Sequence, residues 1–357
     1  MPRIDSDAHV VETPATWEYM DKSDQRYKPV LVTQEGWTRG LWIVEGESRG
    51  FARPTVTGRA FEALEERDHR KMAVPKAAQD MENVGVRLRH MDELGIDIQV
   101  LYPTAFIHEL TEKPEVDVSL CNGYNRWMAD IWKQGGGRLR WLAQLPLLSI
   151  PDALDMLPYC REHGAVGINM RPIEGLGRLL HDPYFDPIYD AATRYDMCIG
   201  VHVGSGLQSY SRVVRQRVTW GAGFWGAAVP VVGACHAVIS TGLPERFPKL
   251  RIGFIEAAAQ WVPWVIKDIR RRGEGQRLPE NLFEAYRLYV SCYSSTDDID
   301  YIAKYTGDQA LLTGTDYGHN DMSVELDAIV SLGTHGNVSP ELAKKILDDN
   351  PRRFYGL

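Results

Sequence analysis

Three stretches in succession, AVGINMRP (165–172), PYFDPIYDAATRYD (183–196) and MCIGVHVG (197–204), decide the fold. The outer two are short apolar runs, too brief for helices and rich enough in β-formers for buried strands. The middle one carries apolar residues at helical spacing and begins with proline, which suits a helix start. Strand, helix and strand in that order make a βαβ unit, whose two strands run parallel.

The same alternation extends in both directions. RIDSDAHV (3–10), DIQVLYP (97–103) and RLRWLAQLPL (138–147) precede it as strands. RIGFIEA (251–257), LYVSC (288–292) and ALLTGTD (310–316) follow it. Helical segments lie between: QDMENVGVRLRHMDELG, ending at Gly95, then PDALDMLPYCREHG (151–164), GACHAVISTG and AAQWVPWVIKDIRRR. Glycine after the last helical turn is the usual stop signal. Eight strands with interleaved helices predict an α/β protein of the closed (β/α)₈ barrel type, one domain over residues 1–357. LAKKILDDNPRRFYGL reads as a closing helix and tail.

Two segments exceed a bare barrel. Residues 13–80 separate the first strand from its helix, are rich in Trp, Arg and Gly, and include VLVTQEGWTRGLWIV, which has the pattern of a β-hairpin. They are expected to cap the barrel mouth. Residues 205–226, SGLQSYSRVVRQRVTWGAGFWG, form a long loop after the fifth strand, and loops after barrel strands sit on the catalytic face.

Composition narrows the function. The net charge of −8 and the scattered arginines argue against a nucleic-acid surface. The N-terminus, MPRIDSDAHV, lacks the pattern of a signal peptide, and no apolar run approaches a membrane span. Cys121, Cys160, Cys198, Cys235 and Cys292 are dispersed and odd in number, which reads as buried reduced thiols of a cytoplasmic protein. The expected partner is therefore a small molecule, with neither nucleic acid nor membrane.

The chemistry lies at strand ends. Asp7 and His9 stand at i and i+2 on the first strand and so share a face. Alone, that pair is a weak signal, better explained as a surface aspartate beside a structural histidine. His202 interrupts an apolar strand, where a core histidine bonded to a carbonyl is the ordinary explanation. Asp316 closes another apolar strand, where a helix N-cap is the ordinary explanation. Four ligand-type residues at the ends of strands one, five and eight are harder to explain separately than as one metal site.

The motifs IDSDAHVVE (4–12), HMDELGIDIQVLYPT (90–104), DPYFDPIYDAATRYDMCIGVHVG (182–204), GLPERFPKLRIGFIEAAAQWVPW (242–264), LLTGTDYGH (311–319) and NPRRFYGL (350–357) span the chain. Together they resemble the amidohydrolase superfamily. The nearest branch contains aminocarboxymuconate-semialdehyde decarboxylase, γ-resorcylate decarboxylase and 5-carboxyvanillate decarboxylase. The resemblance implies one divalent metal, Zn²⁺ or Mn²⁺, on Asp7, His9, His202 and Asp316, with Asp316 also the catalytic proton carrier. No lysine occurs between Lys133 and Lys249, so the bridging carboxylated lysine of binuclear relatives has no counterpart here.

At the sixth strand, where those decarboxylases carry a histidine, this chain has Glu256, a second catalytic candidate. Arg171, Tyr102, Arg212, Arg215, Trp220 and Trp225 lie at or beyond strand ends. They are expected to supply an arginine clamp for a carboxylate or phenolate and aromatic walls, or else to be ordinary loop surface. His236 and His319 are candidates for contact with the substrate. The resemblance implies a non-oxidative decarboxylase of an aromatic or conjugated unsaturated acid, with metal-assisted hydrolysis of an amide, ester, lactone or activated C–C bond as the alternative. It also implies a homodimer or higher homo-oligomer, acting on a carboxylic or phenolic compound.

Overall fold

The computed structural model describes residues 2–34, 40–52, 66, 73–204, 226, 228–273, 278–319, 323–332 and 338–357. Eight strands are hydrogen-bonded in one sheet in chain order: β1 (Ile4–Val10), β5 (Ile98–Pro103), β6 (Leu139–Gln144), β7 (Ala165–Met170), β10 (Cys198–His202), β11 (Ile252–Ile255), β12 (Leu288–Cys292) and β13 (Leu311–Thr313). The strand pairs with described registers are parallel. Helices alternate with these strands, including Val84–Glu93, Pro114–Gln134, Ile150–Glu162, Asp186–Arg194, Val229–Ser240, Val262–Arg272 and Ile299–Thr306. This is the (β/α)₈ topology that the alternation predicts. All seven residues of β1 are buried, as befits a strand covered on both faces.

The chain's contacts divide into two compact units. One comprises Pro2–Ala165 and Gly314–Val330, and the other comprises Met1, Val166–Thr313 and Ser331–Leu357. The first unit holds β1, β5 and β6, and also a three-stranded antiparallel sheet of β2 (Val30–Val32), β3 (Leu41–Val44) and β4 (Glu47–Phe51). The expected hairpin is thus present as β2 and β3, with Leu31 opposite Trp42, and a third strand extends it. Trp17 packs edge-on against Trp42 at 5.9 Å and tilted against Phe106 at 6.2 Å. At the end of the expected cap, the Gln79 carbonyl accepts from Val11 N at 3.0 Å, and its side-chain amide donates to the Gly318 carbonyl. That end of the insertion therefore lies beyond the C-terminal end of β1. The rest of the cap at 35–39, 53–65 and 67–72, and nearly all of the loop at 205–226, fall outside the described residues.

Strand ends depart from the sequence reading at two informative places. β11 stops at Ile255 and β13 at Thr313, so Glu256 and Asp316 lie just past their strands rather than in them. Both have left-handed backbones, with φ of +61° and +49°. That conformation is costly for residues with a Cβ, and at Glu256 it ends β11 at once. The helix expected over 79–95 is likewise broken by Met81 at φ +57°, and restarts with Asn83 as its N-cap.

The segment after β13 is seated on β1 by its backbone. Asp316 N donates to the Asp7 carbonyl at 2.9 Å, and His9 N donates to the Tyr317 carbonyl at 2.6 Å. Gly314 permits the approach, because a Cβ there would lie 2.3 Å from the Asp7 Cβ. Gly314→Ala should therefore destabilise the fold by about 3 kcal/mol, the upper range for forced overpacking. In contrast, Gly233→Ala sits inside the helix Val229–Ser240 with no described atom within 4 Å of the added methyl. It should stabilise by about 0.5–1 kcal/mol. Paired denaturant titrations check both signs.

Candidate metal centre and acid–base groups

In the first unit, β1 carries Asp5, Asp7 and His9, with a register shift between Asp5 and Ala8, so that Asp5 pairs with Gln99 and His9 with Tyr102 on β5. Asp5 is buried and serves as a clamp. It accepts from Thr315 N at 2.9 Å, Thr315 Oγ1 at 2.6 Å and Gln99 Nε2 at 2.8 Å. Burial pushes its carboxyl up to about 6 against those hydrogen bonds, which pull it down. The fully buried Arg87 supports the same strand from behind, donating to the His9 carbonyl at 3.1 Å and to Gln99 Oε1 at 2.7 Å. Its guanidinium lies 3.5 Å from the centre of the Tyr317 ring.

His9 is wholly buried. Its Nδ1 lies 3.1 Å from the Pro103 carbonyl, which can only accept, so Nδ1 carries the proton. The Nε2 lone pair then points at two carboxylates, 3.6 Å from Asp7 Oδ1 and 3.4 Å from Asp316 Oδ1. Those distances are long for hydrogen bonds. Two ligand atoms bound about 2.1 Å from a tetrahedral ion stand about 3.4 Å apart. The residues present thus fit a divalent metal in donor type and in spacing.

His319, beyond the left-handed Asp316, stacks on His9 with ring centres 3.8 Å apart. Its Nε2 lies 3.1 Å from Thr104 Oγ1, and its Nδ1 2.8 Å from Asp316 Oδ1. The Thr104 hydroxyl spends its one proton on the Val10 carbonyl at 2.7 Å, so His319 Nε2 must be the donor to Thr104. The other nitrogen, Nδ1, lies within ion-pair distance of Asp316. His319 was a candidate for contact with the substrate; the structure places it against Asp316. Tyr102 is buried beside His9, in register with it across β1 and β5, and their rings are 6.1 Å apart.

Sequence reasoning missed Glu12. Its buried carboxylate accepts from Ala105 N at 2.8 Å and from Thr104 N at 3.2 Å, and so fixes the residue that positions His319. Its place in IDSDAHVVE, an acid following two apolar residues at a strand end, was the available signal.

In the second unit, His202 closes β10. Its Nδ1 lies 2.9 Å from the Val203 carbonyl and its Nε2 3.1 Å from Glu256 Oε2. The Val203 carbonyl plays the part that Pro103 plays for His9, again presenting Nε2. Glu256 is braced in its left-handed conformation by two bonds. Its N donates to Ser291 Oγ at 2.8 Å, and its carbonyl accepts from Tyr293 OH at 3.2 Å.

Arg171 ends close to β7 but is engaged by a neighbour that the sequence reading did not single out. Glu174 accepts from Arg171 N at 2.6 Å and from its Nη2 at 2.5 Å, with both side chains nearly buried. His236 stands apart from the strand ends. Its Nε2 pairs with Asp268 at 3.2 Å, between the helices Val229–Ser240 and Val262–Arg272, where Asp268 also holds Arg271 and Arg272. Arg212, Arg215, Trp220 and Trp225 lie outside the described residues. All five cysteines are free and buried, and among the described residues no helix is long and apolar enough to cross a membrane.

A family model described as amidohydrolase matches residues 4–357. The chain belongs to the amidohydrolase family. Solved structures agree in fold. An amidohydrolase from Mycobacterium avium subsp. paratuberculosis K-10 is 20% identical with a TM-score of 0.79, covering 99% of each chain. 5-Carboxyvanillate decarboxylase from Sphingomonas paucimobilis is 15% identical with a TM-score of 0.69, covering 100% of this chain and 99% of its own. 2,6-Dihydroxybenzoate decarboxylase from Rhizobium is 16% identical with a TM-score of 0.67 and the same coverage. At these identities the likeness establishes the fold of this amidohydrolase-family chain and leaves its reaction to be argued from its residues.

Glu12 gives a test of the buried network. Burial, the largest influence, raises its carboxyl from 4.5 to about 7, while the amides of Ala105 and Thr104 lower it. The folded state then holds this proton more tightly than the unfolded chain does. Its contribution to stability is fully present below about pH 4.5 and is lost as pH rises through about 7. The swing is on the order of 3 kcal/mol. Glu12→Gln should flatten the fall in melting temperature between pH 4.5 and 7, as read by calorimetry of the metal-free protein.

Proposed function

We propose that this amidohydrolase-family chain is a mononuclear metal-dependent carboxy-lyase that decarboxylates an aromatic or conjugated unsaturated acid without an oxidant. Asp7, His9, His202 and Asp316 are the ligand positions, and Zn²⁺ or Mn²⁺ suits their mixed nitrogen and oxygen donors. The observation that carries the reading is His9 Nε2, presented at 3.4 and 3.6 Å to Asp316 and Asp7, with His319 Nδ1 2.8 Å from Asp316. Two of the structural neighbours act on benzoates by name, 5-carboxyvanillate and 2,6-dihydroxybenzoate, which supports an aromatic acid as substrate.

A bound divalent metal supplies Lewis-acid stabilisation of negative charge developing on substrate oxygens. The remaining steps belong to the protein. The substrate's carboxylate carbon separates as CO₂, and the bonding pair stays on the ring carbon. That carbon takes a proton from Asp316, which in this reading is protonated when the substrate binds. Thr104 keeps His319 oriented so that its Nδ1 faces Asp316, and Glu12 holds Thr104. Replacement of the proton from solvent returns the pair to its starting state. Tyr102, buried next to His9, gives the site an apolar wall that raises the weight of each electrostatic contact.

A second reading, hydrolysis, is favoured by one residue. Glu256 occupies the position where the decarboxylases of this branch carry histidine, and it reaches His202 at 3.1 Å. In that reading Asp316 takes a proton from the attacking water, and the Glu256 carboxyl delivers one to the leaving group. The two chemistries differ in where solvent atoms end. Decarboxylation should release CO₂ stoichiometrically, with solvent deuterium at the vacated carbon. ¹⁸O from labelled water appearing in the organic product would reject it.

In either case His9→Ala should lose bound metal by elemental analysis. Asp316→Asn should lower kcat by at least about 10³-fold, beyond what its remaining metal content explains. Glu256→Gln separates the readings again. It should slow poor leaving groups selectively in a hydrolase, and change KM without such selectivity in a decarboxylase.

A further inference from the structure

Within the second unit, at the strand ends opposite His202, lies a cavity of about 600 Å³. Asp196 precedes β10, Arg251 precedes β11, and Arg287 precedes β12, so the cavity opens at the N-terminal ends of these strands. Four cationic side chains, Lys249, Arg251, Arg287 and Arg353, line it against two acids, Asp196 and Glu284. Arg251 is committed to Asp196, with Nη1 to Oδ1 at 2.7 Å. Lys249, Arg287 and Arg353 then face Glu284, a surplus of two positive charges. The floor is apolar, with Phe283, Leu288 and Tyr289 contributing. Burial chiefly raises the Tyr289 phenol, while Arg353, Arg251 and Arg287 all pull it down, so three guanidinium fields converge on this ring.

The backbone adds an independent reason. The turns that lead from helices into strands need a left-handed residue, and glycine supplies it at Gly95, Gly137, Gly164 and Gly307. At two such turns among the described residues the left-handed residue is instead Asp196 or Arg287, with φ of +52° and +51°. Both line this cavity. Aspartate tolerates that conformation, but arginine gains nothing from it locally. An arginine kept where glycine is the unstrained choice points to a use for its side chain. Tying the loop is one such use, since Arg287 Nη1 donates to the Pro248 carbonyl. That bond leaves the rest of the guanidinium fork for a ligand.

We propose that this cavity is a binding site, separate from the candidate metal centre, for a small organic dianion carrying one aromatic ring. The anionic group sits between Arg287 and Arg353, and the ring lies on the floor at Tyr289. The size suits such a molecule, since ligand cavities span roughly 300–1,000 Å³.

The test uses the metal-free full chain and phenyl phosphate, with inorganic phosphate and phenol as the charge-only and ring-only probes, followed by isothermal titration. Phenyl phosphate should bind one-to-one and at least about tenfold more tightly than either fragment. Arg287→Gly and Arg353→Gln should each weaken it by about tenfold or more, while His202→Gln leaves it unchanged. Arg287→Gly should also melt no lower than the parent, because strain relief offsets the lost bond to Pro248. The proposal is overturned by any of three results: no saturable binding at millimolar phenyl phosphate, undiminished affinity in either arginine variant, or affinity lost with His202.

Discussion

The candidate metal centre depends on one backbone seam, the contact between β1 and the segment that follows β13. Through it Asp316 N reaches the Asp7 carbonyl and His9 N reaches the Tyr317 carbonyl. Two ligand-type side chains from the start of the chain and one from near its end are thereby fixed within a few ångströms of each other. The seam is closed by Asp5, whose buried carboxylate takes four hydrogen bonds, two from Thr315, one from Gln99 and one from Asp7 N. It also requires Gly314, since no side chain fits against Asp7 there. A carboxylate buried at such cost, with its ionisation pushed up to about 6, is tolerable because it satisfies donors that would otherwise be stranded.

The histidines on β1 and β10 follow one rule. Each gives its Nδ1 proton to a backbone carbonyl, Pro103 for His9 and Val203 for His202, and so presents Nε2. A carbonyl cannot reverse its role, so the tautomer is set by the fold and not by the ligand. The third histidine, His319, differs because Thr104 uses its hydroxyl proton elsewhere and accepts at Nε2. Its remaining nitrogen is directed to Asp316. Two imidazoles thus present Nε2, whereas the third turns Nδ1 to a carboxylate.

Most of this was legible in the sequence, for definite reasons. The eight strands are short apolar runs between turn signals, and burial on both faces leaves little room for another reading. Asp7 and His9 share a face by the period of a strand alone. The order of motifs along the chain carried the family, which the match over residues 4–357 establishes. What sequence could not give was conformation beyond strand ends. Glu256 and Asp316 look like the last residues of strands, but Glu256 turns left-handed immediately outside β11, and Asp316 does so beyond Gly314 and Thr315, past the end of β13. Arg171 looked like an open clamp because its partner, Glu174, returns to it only through a tight turn. His236 looked like a pocket residue because its carboxylate partner lies on another helix. Glu12 escaped notice because its partners are backbone amides, which no residue pattern displays.

The left-handed residues bear on the chemistry as well as on the fold. A residue on a barrel strand points inward or outward by the pleat, with no intermediate choice. Glu256 and Asp316 escape that restriction by leaving the strand, and their side chains are aimed by local turns instead. The turn at Glu256 is held by Ser291 and Tyr293, and the one at Asp316 by Asp7. Each brace is supplied by a neighbouring strand or its extension, so the strain is maintained by the sheet rather than by the loop. Two acids are held in this way, Glu256 against His202 and Asp316 against His319, an aim that the pleat of a strand alone would not supply.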